Sequence, residues 1–159
     1  MYLGHRRRAR TGVSIDAARA MIDLSSSPPT GATAEHAVET ATQMFNAHDL
    51  DGLGDVLADD VVCQMPGGAQ ETGKAACQNL HRRWLADFPD AHLEVRARHV
   101  ADDVVVEEGT FRGCHDGVAR TGRPVRLDYV RVARIRRGKH VSVSLTFDRL
   151  VMLEQLGLV

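Results

Sequence analysis

One stretch constrains the fold more than any other. Between Val104 and Arg136, two arms rich in β-branched residues, Val104–Cys114 and Val125–Arg136, flank a glycine-bearing segment. That is the signature of a β-hairpin. Thr121-Gly122 gives the simplest closure, because glycine accepts the positive φ that tight hairpin turns demand. This closure sets a register. Arg120 faces Arg123, and counting outward puts His115 opposite Asp128, with Cβ atoms about 4.5–5.5 Å apart. One face then carries Phe111, His115, Asp128, Val130 and Val132; the other carries Thr110, Arg112, Tyr129, Arg131 and Ala133. The first is the more apolar, so His115 and Asp128 are expected to look inward together. The strand period is two, so a slip of one residue reverses every assignment.

The rest of the chain supplies helices to cover that hairpin. Residues 1–32 read as a flexible extension, ending in the linker-like run Ser25-Ser26-Ser27-Pro28-Pro29-Thr30-Gly31, with a short helix expected over Ser14–Leu24. The domain is expected to span 33–159. Thr33–His48 carries Ala34, Ala37, Val38, Ala41, Met44, Phe45 and His48 at helical spacing, with Thr33 as its cap. A second helix is expected over Asp49–Ala58, a strand over Val61–Met65, and a helix over Thr72–Asp87 with Thr72 as cap. Cys77, His81, Trp84 and Phe88 share one side of that helix. A Cys and a His at this spacing are read as a packed face rather than a metal site. Phe88-Pro89-Asp90 breaks the helix. Strands follow at His92–Val100, Asp103–Cys114, Val125–Arg136 and His140–Phe147, then a closing helix over Asp148–Leu156. Helices first and a strand meander last indicate an α+β fold, a cone-shaped barrel of curved antiparallel sheet wrapped around the N-terminal helices. Such a cone encloses a natural small-molecule pocket.

Composition removes several function classes. The formal charge is -1 and aromatic residues make up 4%, so neither an electrostatic footprint nor a stacking platform for nucleic acid is present. Cys63, Cys77 and Cys114 are too few and too widely spaced for a disulfide framework or a zinc signature, so a cytoplasmic setting is expected. No apolar run reaches the roughly 18–20 residues of a membrane span.

Several motifs carry a resemblance. Phe45-Asn46-Ala47-His48-Asp49-Leu50-Asp51-Gly52-Leu53 and Leu57-Ala58-Asp59-Asp60-Val61-Val62 are similar to the opening of nuclear transport factor 2-like proteins. Phe88-Pro89-Asp90, Gly113-x-His115-x-Gly117, Gly138-Lys139, and Asp148 followed by Gln155-Leu156-Gly157-Leu158 resemble the SnoaL-like polyketide cyclase branch of that superfamily. The resemblance covers about 33–159. It implies a homodimer or tetramer, no metal or organic cofactor, and cofactor-free ring closure of the intramolecular aldol type on an apolar, polyketide-derived substrate. The catalytic positions it implies are His115 and Asp128. Epoxide-opening cyclisation or hydrolysis, and a non-catalytic binding or assembly role, remain open alternatives.

The residues fit that chemistry. A carboxylate in an apolar pocket gains basicity, which suits Asp128 as the general acid/base. An adjacent imidazole, His115, can donate to the developing oxyanion. Trp84, His81, Phe111, Glu107 and Ser144 are the expected substrate-binding residues. Tyr129 is expected on the outer face, His140 near a surface turn, and the Arg131–Arg137 run on a solvated strand face.

Overall fold

The computed structural model describes residues 30–118 and 120–159; residues 1–29 of the expected extension, with its short helix, lie outside the described residues, and residues 30–32 are already helical. The chain forms α1 (Thr30–Asn46), α2 (Leu50–Asp55), β1 (Leu57–Gln64), β2 (Gln70–Thr72), α3 (Lys74–Asp87), β3 (His92–Ala101), β4 (Val104–Cys114), β5 (Pro124–Arg136), β6 (Lys139–Phe147) and α4 (Arg149–Leu156). The fold is α+β, with one curved six-stranded sheet in the order β2-β1-β6-β5-β4-β3. Every neighbouring pair is antiparallel except β1 and β6, which run parallel. No described helix is long and apolar enough to cross a membrane.

The apolar stripe of α1 explains where that helix sits. Ala34, Ala37 and Val38 pack on Val105, Ala133 and Ile135 at one end of the sheet. The small alanines let the helix approach the strands closely, while the buried Val38 alone contributes on the order of 2 kcal/mol of apolar transfer. At the other end, Phe45 joins Phe88, Leu93, Phe111, Leu127, Tyr129 and Leu156 in a larger core.

Several element ends differ from expectation for local reasons. Thr33 lies inside α1 rather than capping it. Asp49 caps α2 by accepting from the Gly52 amide. Gly73, at φ 95°, precedes α3, and Thr72 is drawn into β2 by pairing with Val62. Asp148 caps α4 by accepting from the Leu150 and Val151 amides.

The main correction concerns the central hairpin. Phe111 pairs with Leu127 and Thr110 with Asp128, so His115 does not face Asp128. The hairpin is not closed by Thr121-Gly122. His115 donates its amide to the Arg123 carbonyl and accepts from the Gly122 amide, leaving a longer loop between His115 and Arg123. The Asp116 amide is bonded to the Asp87 carbonyl at the end of α3, which pins this loop to the helix and prevents the tight turn. The register moves by an odd number of residues. In β5, Val125, Leu127, Tyr129, Arg131, Ala133 and Ile135 therefore point inward, and Asp128, Val130 and Val132 point outward.

Two bulges in the antiparallel strands bend the sheet. Val95 pairs with Gly109 and Ala97 with Glu108, so Arg96 is the extra residue of β3. Beyond it the inward parity switches, and Arg98 faces Glu107. A second shift at the start of β6 pairs Ile135 with His140 and Arg134 with Ser142. It turns His140 into the core at 1% exposure, whereas the sequence pattern placed it at the surface.

Candidate functional site

The concave face of the sheet and α3 enclose an apolar cavity of about 70 Å³, room for one small ring or a few waters. Phe45, Leu80, Trp84, Phe111, Leu145 and Phe147 form much of its wall. Trp84 lies 5.4 Å from Phe111 and 5.7 Å from Phe147 between ring centres. Gln64, Met65, Leu145 and Phe147 are shared with an adjoining outer cleft of about 610 Å³, walled on its other side by the Pro66–Ala69 turn and Arg149. Among the described residues lining the inner cavity, the polar side chains are His81, Tyr129, Arg131, Gln64 and the thiol Cys63.

His81 comes from α3, one turn after Cys77. Its Nδ1 lies 2.7 Å from the Cys77 carbonyl oxygen. A carbonyl only accepts, so Nδ1 carries the proton and Nε2 keeps its lone pair. Burial depresses the affinity of this imidazole for a second proton, and the nearby Arg131 charge acts in the same direction. His81 is thus a neutral base on the cavity wall.

Behind the cavity lies a buried charged cluster. Glu107, 0% exposed, accepts from Arg98 at 2.9 Å, Tyr129 Oη at 2.8 Å and Thr42 Oγ1 at 3.2 Å, and forms an ion pair with Arg131 at 2.8 Å. Two guanidinium groups on one carboxylate satisfy both oxygens and offset the large cost of burying the charge. Burial, then the Glu107 charge, push the Tyr129 hydroxyl up, so it stays a neutral donor. Gly109, opposite Tyr129, makes room for this: a Cβ there would lie 2.5 Å from the Glu94 carbonyl and 2.6 Å from Tyr129 Oη. His140 seals the far side, with Nε2 3.2 Å from the Ala37 carbonyl, and burial lowers it to about 4.

The structure separates the two residues expected to be catalytic. Asp128 lies on the outer face, its side chain 73% exposed, 2.5 Å from Arg96 and 3.1 Å from Thr110. Those hydrogen bonds hold its carboxyl below the usual range, the opposite of the raised value a pocket base needs. His115 is buried at the end of β4, outside the lining of the cavity. Its ring packs 5.4 Å from Phe88 and Nδ1 lies 3.1 Å from Thr121 Oγ1. Gly113 packs on Phe88 and Phe111, and the Cys114 amide donates to Asp90. The Gly113-x-His115-x-Gly117 segment thus ties the hairpin end to the Phe88-Pro89-Asp90 break.

Of the expected binding residues, Trp84, His81 and Phe111 line the cavity together. Glu107 points inward but stands behind Tyr129 and Arg131, and Ser144 lines the outer cleft instead. Tyr129 and Arg131, expected on the outer face, point inward with the other odd residues of β5. The alternation of β5 carried the missed signal: its odd positions from Val125 to Ile135 are apolar or aromatic except Arg131, whereas its even positions mix Arg, Asp and Val. Among the described residues, no group of three or more His, Cys, Asp or Glu side chains is placed to hold a metal ion.

A family model described as a SnoaL-like domain matches residues 38–143. Among solved structures, IdmH from Streptomyces antibioticus, a proposed polyketide cyclase, is 27% identical at a TM-score of 0.69, with 78% of this chain and 98% of that chain covered. A proposed SnoaL-like polyketide cyclase from Jannaschia sp. CCS1 superposes at a TM-score of 0.75 with 17% identity, over 80% of this chain and 94% of that one. An LEH-like epoxide hydrolase from M. tuberculosis, at 20% identity and a TM-score of 0.69 over 80% of this chain and 92% of its own, shares the fold. No curated protein resembles the chain closely enough to count as a relative.

Proposed function

The chain belongs to the SnoaL-like domain family, and from that premise we propose that it is a cofactor-free cyclase acting on an apolar, polyketide-derived molecule by acid/base ring closure. The observation that carries this reading is the neutral His81 on the wall of an apolar, aromatic-lined cavity. The outward Asp128 does not serve as the base, and Glu107 is held by two arginines. His81 Nε2 takes that role in their place. It removes a proton from a carbon between two carbonyls. The enolate attacks a second carbonyl of the same chain, and the new alkoxide takes a proton back. The aromatic wall excludes water and folds the chain so that the reacting carbons meet, which is where much of the rate of an intramolecular reaction arises.

Turnover of a synthetic linear polyketone, followed by ring-product formation, tests this. The wild-type rate is expected to be flat above neutrality and to fall on acidification below the ordinary histidine value of about 6.5, because a base works only when unprotonated. His81→Gln is expected to lose about 10²–10⁴-fold in turnover with little change in KM. Binding without turnover, in wild type and variant alike, would sink the enzymatic reading. It would favour a non-catalytic binding module, which the lack of a free carboxylate on the described cavity wall supports as the second reading. Epoxide opening by a carboxylate-activated water would require Glu107 to leave Arg98 and Arg131, and ranks below both. We also propose a homodimer joined through the outer face of β5, where Val130 and Val132 are each 41% exposed.

A further inference from the structure

We infer that the floor of the cavity is a site for an acceptor oxygen, in which Arg131 Nε–H meets the carbonyl, enol or phenol oxygen of a single ring. The inference rests on the cavity being a ligand site, as proposed above, and names the chemistry of the group it takes. Arg131 is 8% exposed and lines the cavity. Its ion pair with Glu107 and its hydrogen bonds to Thr42 and the Val38 carbonyl all run through the same terminal nitrogen, Nη2. Nε is buried and has no partner among the described residues. Buried donors are nearly always paired. A guanidinium fixed at one end by a carboxylate, on a residue that lines the cavity and with one N–H unpaired, is a donor held in advance for something that enters.

The surroundings narrow what enters. The inner cavity is small and mostly apolar, so it suits one ring and not a fused polycycle; the remainder of a larger molecule would lie in the outer cleft. Arg131 supplies a donor and His81 Nε2 an acceptor on the same lining. A ring oxygen that accepts from the first and, as an enol or phenol, donates to the second satisfies both. A free carboxylate suits the site less well, because Glu107 already neutralises the guanidinium. The other unpartnered buried atom in the described residues, His140 Nδ1, is an acceptor when Nε2 donates to Ala37, and His140 is not among the residues lining the cavity.

Trp84 is the sole tryptophan and lines the cavity, so its emission reports occupancy. The probes are phenol and toluene, which match in shape and differ in one oxygen. An apolar cavity prefers toluene, because an unpaired buried hydroxyl is costly. The oxygen site predicts the reverse, with phenol tighter by on the order of tenfold. Arg131→Lys keeps a cation for Glu107 but removes Nε–H, and is expected to restore the preference for toluene. A measurement on the unaltered protein decides the matter if that variant does not fold. Bound 4-nitrophenol should ionise at a lower pH than free 4-nitrophenol if Nε–H serves its oxygen, and at a higher pH if the cavity is merely apolar. Toluene binding without a preference for phenol, or a raised ionisation of 4-nitrophenol, overturns the oxygen site and leaves the cavity as a ligand site. Failure of all three probes to bind overturns both.

Discussion

At the scale of the residue, the buried titratable side chains have separable roles. Glu107, fully buried, holds two guanidinium groups. Glu107→Gln keeps the shape and removes the charge, leaving Arg98 and Arg131 uncompensated. The expected loss is about 3–5 kcal/mol of unfolding free energy, measurable by urea titration. His115 is the contrasting case. His115→Ala removes the packing on Phe88 and the bond to Thr121, and is expected to cost about 1–3 kcal/mol while leaving phenol or toluene affinity within about twofold. A large loss of affinity with intact stability would return His115 to the site. His140 sets a pH dependence whose sign follows from its lowered value. The unfolded chain takes up a proton near 6.5 and the folded protein only near 4. The stability this group contributes is whole above about 6.5 and is lost as pH falls toward 4. Between pH 7 and pH 5 the loss is about 2 kcal/mol from this residue, and His81 adds in the same direction. His140→Gln should flatten the slope in denaturation curves at those two values.

At the scale of the element, the arms of the hairpin and the helical faces were legible because periodicity is written residue by residue. The parity within β4 was read correctly, with Glu107 and Phe111 inward together. The pairing of β4 with β5 was not, because it depends on the loop between them, and that loop is fixed by a long-range bond from Asp116 to Asp87 that no local pattern announces. The shortest allowed turn predicts a register that differs from the observed one by an odd step, which exchanges the faces of Tyr129 and Arg131 with that of Asp128. The switch of β3 at Arg96 was equally hidden, since Leu93 and Arg98 share a face only across a bulge. Gly109 shows how closely these strands fit. Gly109→Ala would press on the Glu94 carbonyl and the Tyr129 ring, and is expected to cost about 1–3 kcal/mol, read from a lowered Tm.

At the scale of the whole molecule, one face of the sheet is committed to helices and cavity, and the other is open. That open face carries Asp128 with Arg96 and Glu94 with Arg112, beside exposed Val130 and Val132. Placing Lys at both valines should leave the fold and the cavity intact and, if this face joins two copies, convert the assembly to a monomer in light scattering. An unchanged mass would remove β5 from the interface. The bulge at Arg96 has a consequence of a different kind. A strand is read in a frame of two, and this one extra residue is a frameshift on which the buried charges depend. Deleting Arg96 leaves every neighbour chemically unaltered, yet turns Arg98 to solvent and leaves Glu107 only one of its two guanidinium partners, Arg131. A relative one residue shorter in β3 must therefore restore the frame nearby or have lost the Arg98–Glu107 pair, so the length of a strand becomes as informative as its letters when sequences of this fold are compared.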